Sequence, residues 1–431
     1  MFRKKSLPLV QYSQRSATFQ SAMKLSIAIG QFFGLNPVIG VFNIDASKMR
    51  FTFYSARCLY TILSILVQGT ILCFCILKYI KDTETSLSSN TSLVFYSSNF
   101  ITMVLFLRMA MKWPRFCLQI SMTEALSPNF DTTLVKKCNL TCVLVLTLAL
   151  VEHILSDLSG YAALIDCQPH KNAYEAFITH SYPWGYAFLS YNHFVGFLSQ
   201  LVNIQSTFTW SFVDVFIICI SFYLISRLEQ VNLKIVAARG KTMSSYFWRT
   251  IREDYCRAAS LVRRIDDVIG AIIFISFANN LFFICLQLYN LLKDGINATN
   301  LCSDQDVRPL HGYEQATYFM YSFIFLVMRS LAVSLIAARV YASSRKPAIS
   351  LYEVSSTAYC TEIQRFLDQI HGDTVALSGL QFFNIKKGLV LSVVGTIITY
   401  ELVLLQFNLE TAEDADLNYN GTLYKYIKMT V

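Results

Sequence analysis

Apolar residues along this chain are gathered into seven runs, most of them close to the length of a membrane-crossing helix. A helix needs roughly 20 apolar residues to cross the hydrocarbon core of a bilayer. The predicted spans are residues 58–77, 93–110, 140–158, 208–225, 268–291, 318–338 and 389–407. The pattern therefore predicts an all-α polytopic membrane protein with seven transmembrane helices.

Two further segments carry apolar residues without the pattern of a span. Residues 25–42 are apolar but are interrupted by Gly30, Gly34, Pro37 and Gly40, so we predict an interfacial or cytosolic segment. Residues 226–267 alternate charged with apolar positions, which predicts amphipathic helices that continue into the cytosol and suit subunit contacts. A basic helix lying on the inner leaflet is the competing interpretation of residues 226–267.

Composition supports the membrane class. Hydrophobic residues make up 54% of the 431 positions and charged residues 15%, whereas a soluble domain carries about 25% charged residues. The net charge of +8 does not indicate a nucleic-acid partner, because the basic residues flank the spans instead of forming one patch. The sequence contains no catalytic triad, phosphate loop or metal-ligand spacing, so we predict no enzymatic activity and no cofactor or metal.

The distribution of lysine and arginine predicts the orientation. One side of the membrane receives 28 of the 36 basic residues, namely the N-terminal segment and the second, fourth and sixth loops. Because basic loops are retained in the cytoplasm, the N-terminus is predicted to be cytoplasmic and the C-terminus extracellular. This orientation is the reverse of that of a G-protein-coupled receptor. Membership of that receptor class is therefore disfavoured.

Glycosylation sequons and cysteines agree with this orientation. The sequons at Asn90, Asn297 and Asn420 fall on the predicted outer side, and we expect these asparagines to be glycosylated. Two of the twelve cysteines, Cys167 and Cys302, lie in predicted external loops. They form either a disulfide or two free thiols, since the spacing alone does not show that the sulfur atoms meet.

The last span carries polar residues on one face of its helix. Thr399, Val403 and Gln406 are related by i, i+4 and i+7 and share a face, whereas Glu401 points away from it. Such a stripe, followed by the acidic tail of residues 408–431, is typical of a pore wall with a negative vestibule. For the stripe, packing of the same face against neighbouring helices is the alternative. For residues 408–431, the alternative to a vestibule is a solvated tail kept soluble by its charge.

Several segments of the sequence resemble the insect gustatory receptors. The pair Thr399-Tyr400 followed, after five mostly apolar residues, by Gln406-Phe407 is similar to the signature of that family. The resemblance also covers residues 376–379, Phe382-Phe383, Gly395 and, for the sugar receptor (sweet-taste) subfamily, residues 28–41 and Glu401. The seven-span topology matches that of the family over the whole chain.

This resemblance implies a tetrameric, ligand-gated, non-selective cation channel of the plasma membrane of gustatory neurons. The seventh helices would surround the pore, with Thr399, Val403, Gln406 and Phe407 at the pore or gate. A mono- or disaccharide would bind in the helical bundle of each subunit. The partners implied are that sugar, membrane lipid, and further copies or related receptors in a homotetramer or heteromer.

The implied domains follow the spans. They are a cytoplasmic N-terminal segment (1–57), a six-helix ligand-binding bundle (58–338) with a cytosolic extension (226–267), a cytoplasmic anchor segment (339–388), the pore helix (389–407) and an acidic extracellular tail (408–431). Alternatives are a seven-helix receptor coupled to G proteins and an obligate co-subunit of a heteromeric taste channel.

The outer halves of the spans contain the groups that sugar recognition needs, which are hydrogen-bonding side chains and aromatic faces. The candidate sugar-binding residues are Tyr96, Glu152, His153, Asp157, Trp210, Asp214, Asn280, Gln287, Tyr318 and Tyr321. For each of them a contact between helices is the alternative, and His153 in particular fits a core histidine. Arg329 lies deep in the sixth span and requires a buried partner, for which Asp214 or Glu152 could serve.

Overall fold

The structure is a computed structural model that describes residues 17–43, 45–81, 87–128, 131–165, 172–294, 313–399 and 403. Six helices among these residues are long and apolar enough to cross a membrane. They are α2 (Ala56–Lys81), α3 (Leu87–Leu126), α4 (Leu134–Ile165), α7 (His193–Ala237), α8 (Ser245–Asp294) and α9 (Tyr313–Tyr352). The described shorter helices are α1 (Phe19–Phe32), α5 (Ala173–Ser181), α6 (Pro183–Tyr186), α10 (Thr361–Gly372) and α11 (Lys387–Thr399).

Helix α7 forms the centre of the bundle. In its most apolar 18-residue window 89% of the residues are buried, compared with 22% for α4. Burial on every side explains why α7 is apolar around its whole circumference, since each face contacts another helix. Helix α4, in contrast, exposes Leu140, Leu144 and Ile154 on a face suited to lipid.

Helix α1 lies against the cytosolic part of the bundle. Thr18 caps its N-terminus, with the Thr18 hydroxyl accepting from Ser21 N and the Ser21 hydroxyl accepting from Thr18 N. The helix ends where Gly34 takes a positive φ of 78°, a conformation that favours glycine. A short 3-10 helix, Ala46–Lys48, then leads to α2. Residues 25–42, predicted to be an interfacial or cytosolic segment, contain the end of α1 and no helix long enough to cross a membrane.

At the end predicted to be cytosolic, α7, α8 and α9 extend beyond their predicted spans, and α10 packs on α8 and α9. Helix α10 buries Ile363, Phe366, Leu367 and Ile370, which are spaced at i, i+3, i+4 and i+7 on one face. Its opposite face is charged, and Glu362 accepts a hydrogen bond from Arg252 of α8 at 3.0 Å. A second 3-10 helix, Ser356–Ala358, precedes α10.

A two-stranded antiparallel hairpin joins this cytosolic unit to α11. Its strands are β1 (Ser378–Gly379) and β2 (Phe383–Asn384), with Ser378 opposite Asn384. Asp266 of α8 holds the hairpin, because its carboxylate accepts hydrogen bonds from the Ser378 N–H and hydroxyl at 2.6 Å each. Helix α11 begins at Lys387, two residues before the seventh predicted span, and is described as far as Thr399.

The predicted all-α membrane fold is confirmed, although the six long helices all extend beyond the predicted spans. The fourth span was predicted over residues 208–225, but α7 begins at His193 and so includes the polar residues that precede this span. Their polar groups have partners: Gln205 donates to Phe33 O at 3.0 Å and to Ser64 Oγ at 3.1 Å. These contacts offset the cost of placing polar side chains on a membrane helix.

Candidate functional site

A cavity of about 550 Å³ opens among the outer ends of the helices, on the side predicted to be extracellular. We call it the outer cavity. Its walls come from α3, α4, α7, α8 and α9, and the α5–α6 segment contributes Phe177, Tyr182 and Trp184. The lining mixes carboxylates, amides and hydroxyl groups with aromatic rings, which is the combination that binds polyhydroxylated ligands.

Glu152 of α4 is the carboxylate held most firmly in the outer cavity. Its Oε1 accepts a hydrogen bond from the Ser322 hydroxyl at 2.6 Å, and Gln287 Nε2 donates to the same hydroxyl at 3.1 Å. These hydrogen bonds connect α4, α9 and α8 in one network. The Gln287 Oε1 atom is buried without a hydrogen-bond partner among the described residues.

Asp157, about one turn further along α4, provides the second carboxylate. Its Oδ2 lies 3.6 Å from His153 Nε2 and 3.3 Å from Gln200 Nε2 of α7. The Asp157 side chain is 30% exposed, whereas that of His153 is 8% exposed. Asp157 therefore reaches the open part of the cavity, while His153 is buried against it.

Aromatic rings line both ends of the outer cavity. At the inner end, the Trp210 and Phe283 ring centroids lie 4.6 Å apart. At the outer end, Trp184 packs against Tyr96 with centroids 5.3 Å apart. Burial, and after it the negative charge of Asp157, raises the pKa of Tyr182 well above its ordinary value, so the Tyr182 hydroxyl stays protonated and can donate.

A buried ionic cluster lies directly beneath the outer cavity. Arg329 Nε is 2.9 Å from Asp214 Oδ2, with both side chains at most 2% exposed. Ser276 and Asn280 of α8 donate to the Asp214 carboxylate, and the Arg329 guanidinium lies 4.6 Å from the centroid of the Trp210 ring. Of the two carboxylates that the sequence offered as the partner of Arg329, the structure pairs it with Asp214, and Trp210 connects this pair to the cavity.

The structure brings seven of the ten candidate sugar-binding residues to the lining of the outer cavity. They are Tyr96, Glu152, His153, Asp157, Trp210, Gln287 and Tyr318. Asp214 and Asn280 lie outside the lining because they belong to the buried ionic cluster. Tyr321 also lies outside the lining, and its hydroxyl donates to Leu148 O at 3.1 Å.

Sequence reasoning missed more than half of the polar and aromatic residues of the lining. Five of them are Tyr182, Trp184, Asn203, Thr207 and Ser322. The aromatic run from Tyr182 to Tyr186 around Pro183 was a usable signal, because aromatic residues clustered in a short outer segment are seldom needed for solubility. The other three are small polar residues, and whether they face the cavity depends on the rotation of each helix.

The described part of α11 presents one face of small and hydroxyl-bearing residues to an open groove. Ser392, Gly395, Thr396, Thr399 and Val403 line it. The opposite face packs toward α8 and α9 across an apolar space of about 490 Å³, which we call the lateral cavity. Helix α11 thus separates a groove of small polar residues from a region of hydrophobic packing.

Other predicted sites lie outside the described residues or at their edge. Of the predicted pore or gate residues, Thr399 and Val403 are among the residues that the structure describes. Asn90 lies in the first turns of α3, with its side chain outside the described part. The predictions that fall outside the described residues are Gln406, Phe407, Asn297, Asn420, Cys167 and Cys302.

Known proteins are similar to this chain over nearly its whole length. The sequence profile of the family described as trehalose receptor matches residues 3–415. A Drosophila melanogaster protein named gustatory receptor for sugar taste 64f is 30% identical, covering 96% of this chain and 86% of the relative. Gustatory receptor 5a for trehalose, from the same organism, is 28% identical, covering 91% of this chain and 85% of the relative.

Solved structures agree on the fold. The insect olfactory receptor OR5 from Machilis hrabei superimposes with a TM-score of 0.64 at 14% identity, covering 89% of this chain and 97% of that one. Its complex with eugenol gives a TM-score of 0.63 at 15% identity and the same coverage. The chain therefore belongs to the trehalose receptor family, the sugar receptor subfamily of the insect gustatory receptors.

Proposed function

We propose that this protein is a sugar-gated, non-selective cation channel that acts as a taste receptor. The observation that carries the proposal is the outer cavity, in which two carboxylates, an amide side chain and aromatic faces surround a space of about 550 Å³. The relatives named above for sugar taste and for trehalose support a carbohydrate as the ligand.

The lining fits the chemistry of a neutral sugar. Carboxylates accept hydrogen bonds from hydroxyl groups, and a charge-assisted hydrogen bond is roughly twice as strong as a neutral one. Glu152 and Asp157 would accept from sugar hydroxyls, and the Gln287 amide would bind a third. Trp210 and Trp184 would contact the apolar faces of the sugar rings. His153, Tyr96 and Tyr318 complete the proposed binding set.

We place the ion path along α11. In a tetramer, the groove face with Thr396, Thr399 and Val403 would surround a common axis, and the ring of Val403 side chains would form a dry constriction that gates by dewetting. Gln406 and Phe407 would follow at its outer end. Subunit contacts would come from the cytosolic unit of α7, α8, α9 and α10, in homotetramers or in heteromers with related receptors.

The proposed location is the plasma membrane of gustatory neurons, with the outer cavity facing the exterior. This orientation places Asn90, Asn297 and Asn420 where glycosylation occurs and Cys167 and Cys302 where a disulfide is stable. A receptor coupled to G proteins is not favoured, because the chain shares its fold with insect olfactory receptors.

The test is a patch recording from cells that lack other chemoreceptors, against a panel of mono- and disaccharides. We expect a sugar-evoked cation current that persists in excised patches without nucleotides. Silence of this chain alone, relieved by a related receptor, would identify a heteromer. A current that disappears on excision, or silence with every related co-subunit, would contradict the proposal.

A further inference from the structure

A cavity of about 340 Å³ lies at the opposite end of the bundle from the outer cavity, between α3, α8 and the β1–β2 hairpin. We call it the inner cavity. Arg108 and Lys112 enter it from α3, where they are one turn apart, and Asp266 and Asp267 enter it from α8. Two cationic and two anionic side chains thus line one small space.

These opposite charges do not neutralise one another. Among the described residues, neither Arg108 nor Lys112 forms an ion pair, and Asp267 is exposed. Asp266 is directed to the hairpin through Ser378 and holds no cation. Charges of opposite sign that face one cavity without touching are complementary to a ligand that carries both signs.

The depth of the inner cavity identifies the kind of ligand. The predicted second span ends at residue 110 and the predicted fifth span begins at residue 268, so the four charged residues lie at the cytoplasmic ends of their spans. This is the level at which lipid phosphates and headgroup amines of the inner leaflet are found. Basic side chains at this depth bind lipid phosphate.

We propose that the inner cavity binds the headgroup of phosphatidylethanolamine. The phosphate contacts Arg108 and Lys112, and the primary ammonium donates hydrogen bonds to Asp267 and to the free lone pairs of Asp266. A choline headgroup has no N–H donor for these carboxylates. A phosphatidylglycerol headgroup has no cation, so it would bring the carboxylates close to a negative charge without compensation.

A headgroup bound in the inner cavity would stabilise the hairpin that leads into α11. The hairpin contacts α8 through Leu380 N, which donates to Gly270 O at 3.2 Å, and Leu380 and Gln381 line the inner cavity. A headgroup that bridges α3 and α8 would fix α8, the helix on which the hairpin rests. The inference stands on this geometry and does not depend on the identity of the ligand in the outer cavity.

The test measures lipid retained by the purified full-length protein, after equilibration with equal amounts of phosphatidylethanolamine, phosphatidylcholine and phosphatidylglycerol of the same acyl chains. Mass spectrometry of the protein–lipid complexes gives the ratio. We expect phosphatidylethanolamine to be preferred, and the double variant Arg108→Gln, Lys112→Gln to reduce its retention about tenfold, as expected for loss of a charge-assisted hydrogen bond. Arg115→Gln, an exposed base on the same helix outside the lining, is the matched control.

A second variant separates the two halves of the proposed contact. Asp267→Asn should abolish the preference for phosphatidylethanolamine over phosphatidylglycerol while retaining the phosphate contact, and it tests the proposal even if the double variant does not fold. Equal retention of all three lipids by the unaltered protein would overturn the proposal. Unchanged retention in both variants would also overturn it.

Discussion

The outer cavity and the lateral cavity share two walls, α8 and α9, but have opposite chemistry. The outer cavity presents Glu152, Asp157 and Gln287 beside its aromatic rings. The lateral cavity, between α8, α9 and α11, is lined almost wholly by aliphatic and phenylalanine side chains. A polar ligand can therefore be held on one side of these two helices, while the other side offers α11 only non-directional hydrophobic contact.

The difference shows how binding and opening could be coupled in one bundle. The buried ionic cluster of Asp214 and Arg329 lies between the outer and lateral cavities. Trp210 contacts it from the outer cavity, and Asn280 extends from it to the lateral cavity. Hydrogen bonds fix positions, whereas apolar surfaces can slide with little directional cost. A displacement of α8 and α9 at the outer cavity would thus shift the surface on which α11 packs.

The largest expected effect is on the cluster that separates the two cavities. Asp214→Ala should destabilise the protein by about 3–5 kcal/mol, because it leaves the Arg329 charge buried and unpaired. Thermal unfolding in detergent, followed by size-exclusion chromatography, measures this loss. Asp157→Ala is the matched control, since that carboxylate is 30% exposed compared with 1% for Asp214.

Replacing both members of the pair distinguishes charge from packing. The double variant Asp214→Leu, Arg329→Met removes both charges and should recover most of the stability lost in Asp214→Ala. If Asp214→Ala melts like the unaltered protein, the ionic cluster does not hold α7 to α9, and the separation of the two cavities must have another cause.

The second prediction concerns the polar chemistry of the outer cavity. Glu152→Gln should raise the half-maximal sugar concentration about ten- to a hundredfold, because hydrogen bonds to a charged group are worth about 1.5–3 kcal/mol. Dose–response recordings measure the shift. Ser330→Ala, which removes a hydroxyl lining the lateral cavity and bonded to its own helix, should leave the curve unchanged. Equal shifts of the half-maximal sugar concentration in Glu152→Gln and Ser330→Ala would contradict the prediction that only the outer cavity binds the sugar.

The sequence was sufficient to locate six of the spans and to show that Arg329 needs a buried carboxylate, but it left Asp214 and Glu152 both open as that partner. Long apolar runs identify membrane helices because unpaired backbone groups cannot be tolerated in hydrocarbon. Arg329 required a buried carboxylate because an unpaired charge is also costly at membrane depth. The rotation of each helix was not predictable, because it depends on packing with several neighbours. Tyr318 and Tyr321 are separated by three residues, yet only Tyr318 lines the outer cavity.

The third prediction fills the lateral cavity. Ala278 of α8 is exposed there, and Ala278→Leu adds apolar carbons that the space can accommodate without moving the backbone. We expect an increase in stability of about 1 kcal/mol, because each new carbon–carbon contact with α9 or α11 gains about 0.1–0.2 kcal/mol, whereas transfer from lipid or detergent adds no hydrophobic driving force. The melting temperature should rise while the half-maximal sugar concentration stays constant. A shift of that concentration without a change in melting would mean that a ligand reaches the lateral cavity.

The smallest effect separates two tyrosines of α9. Tyr318→Phe should raise the half-maximal sugar concentration about fivefold, because one neutral hydrogen bond contributes about 1 kcal/mol. Tyr321→Phe removes a hydroxyl bonded to Leu148 O outside the lining, so the dose–response curve should not move. The two substitutions delete the same atom one turn apart on one helix, which makes each the control for the other. A larger shift in Tyr321→Phe would place the ligand on the α4 side of α9 and outside the outer cavity.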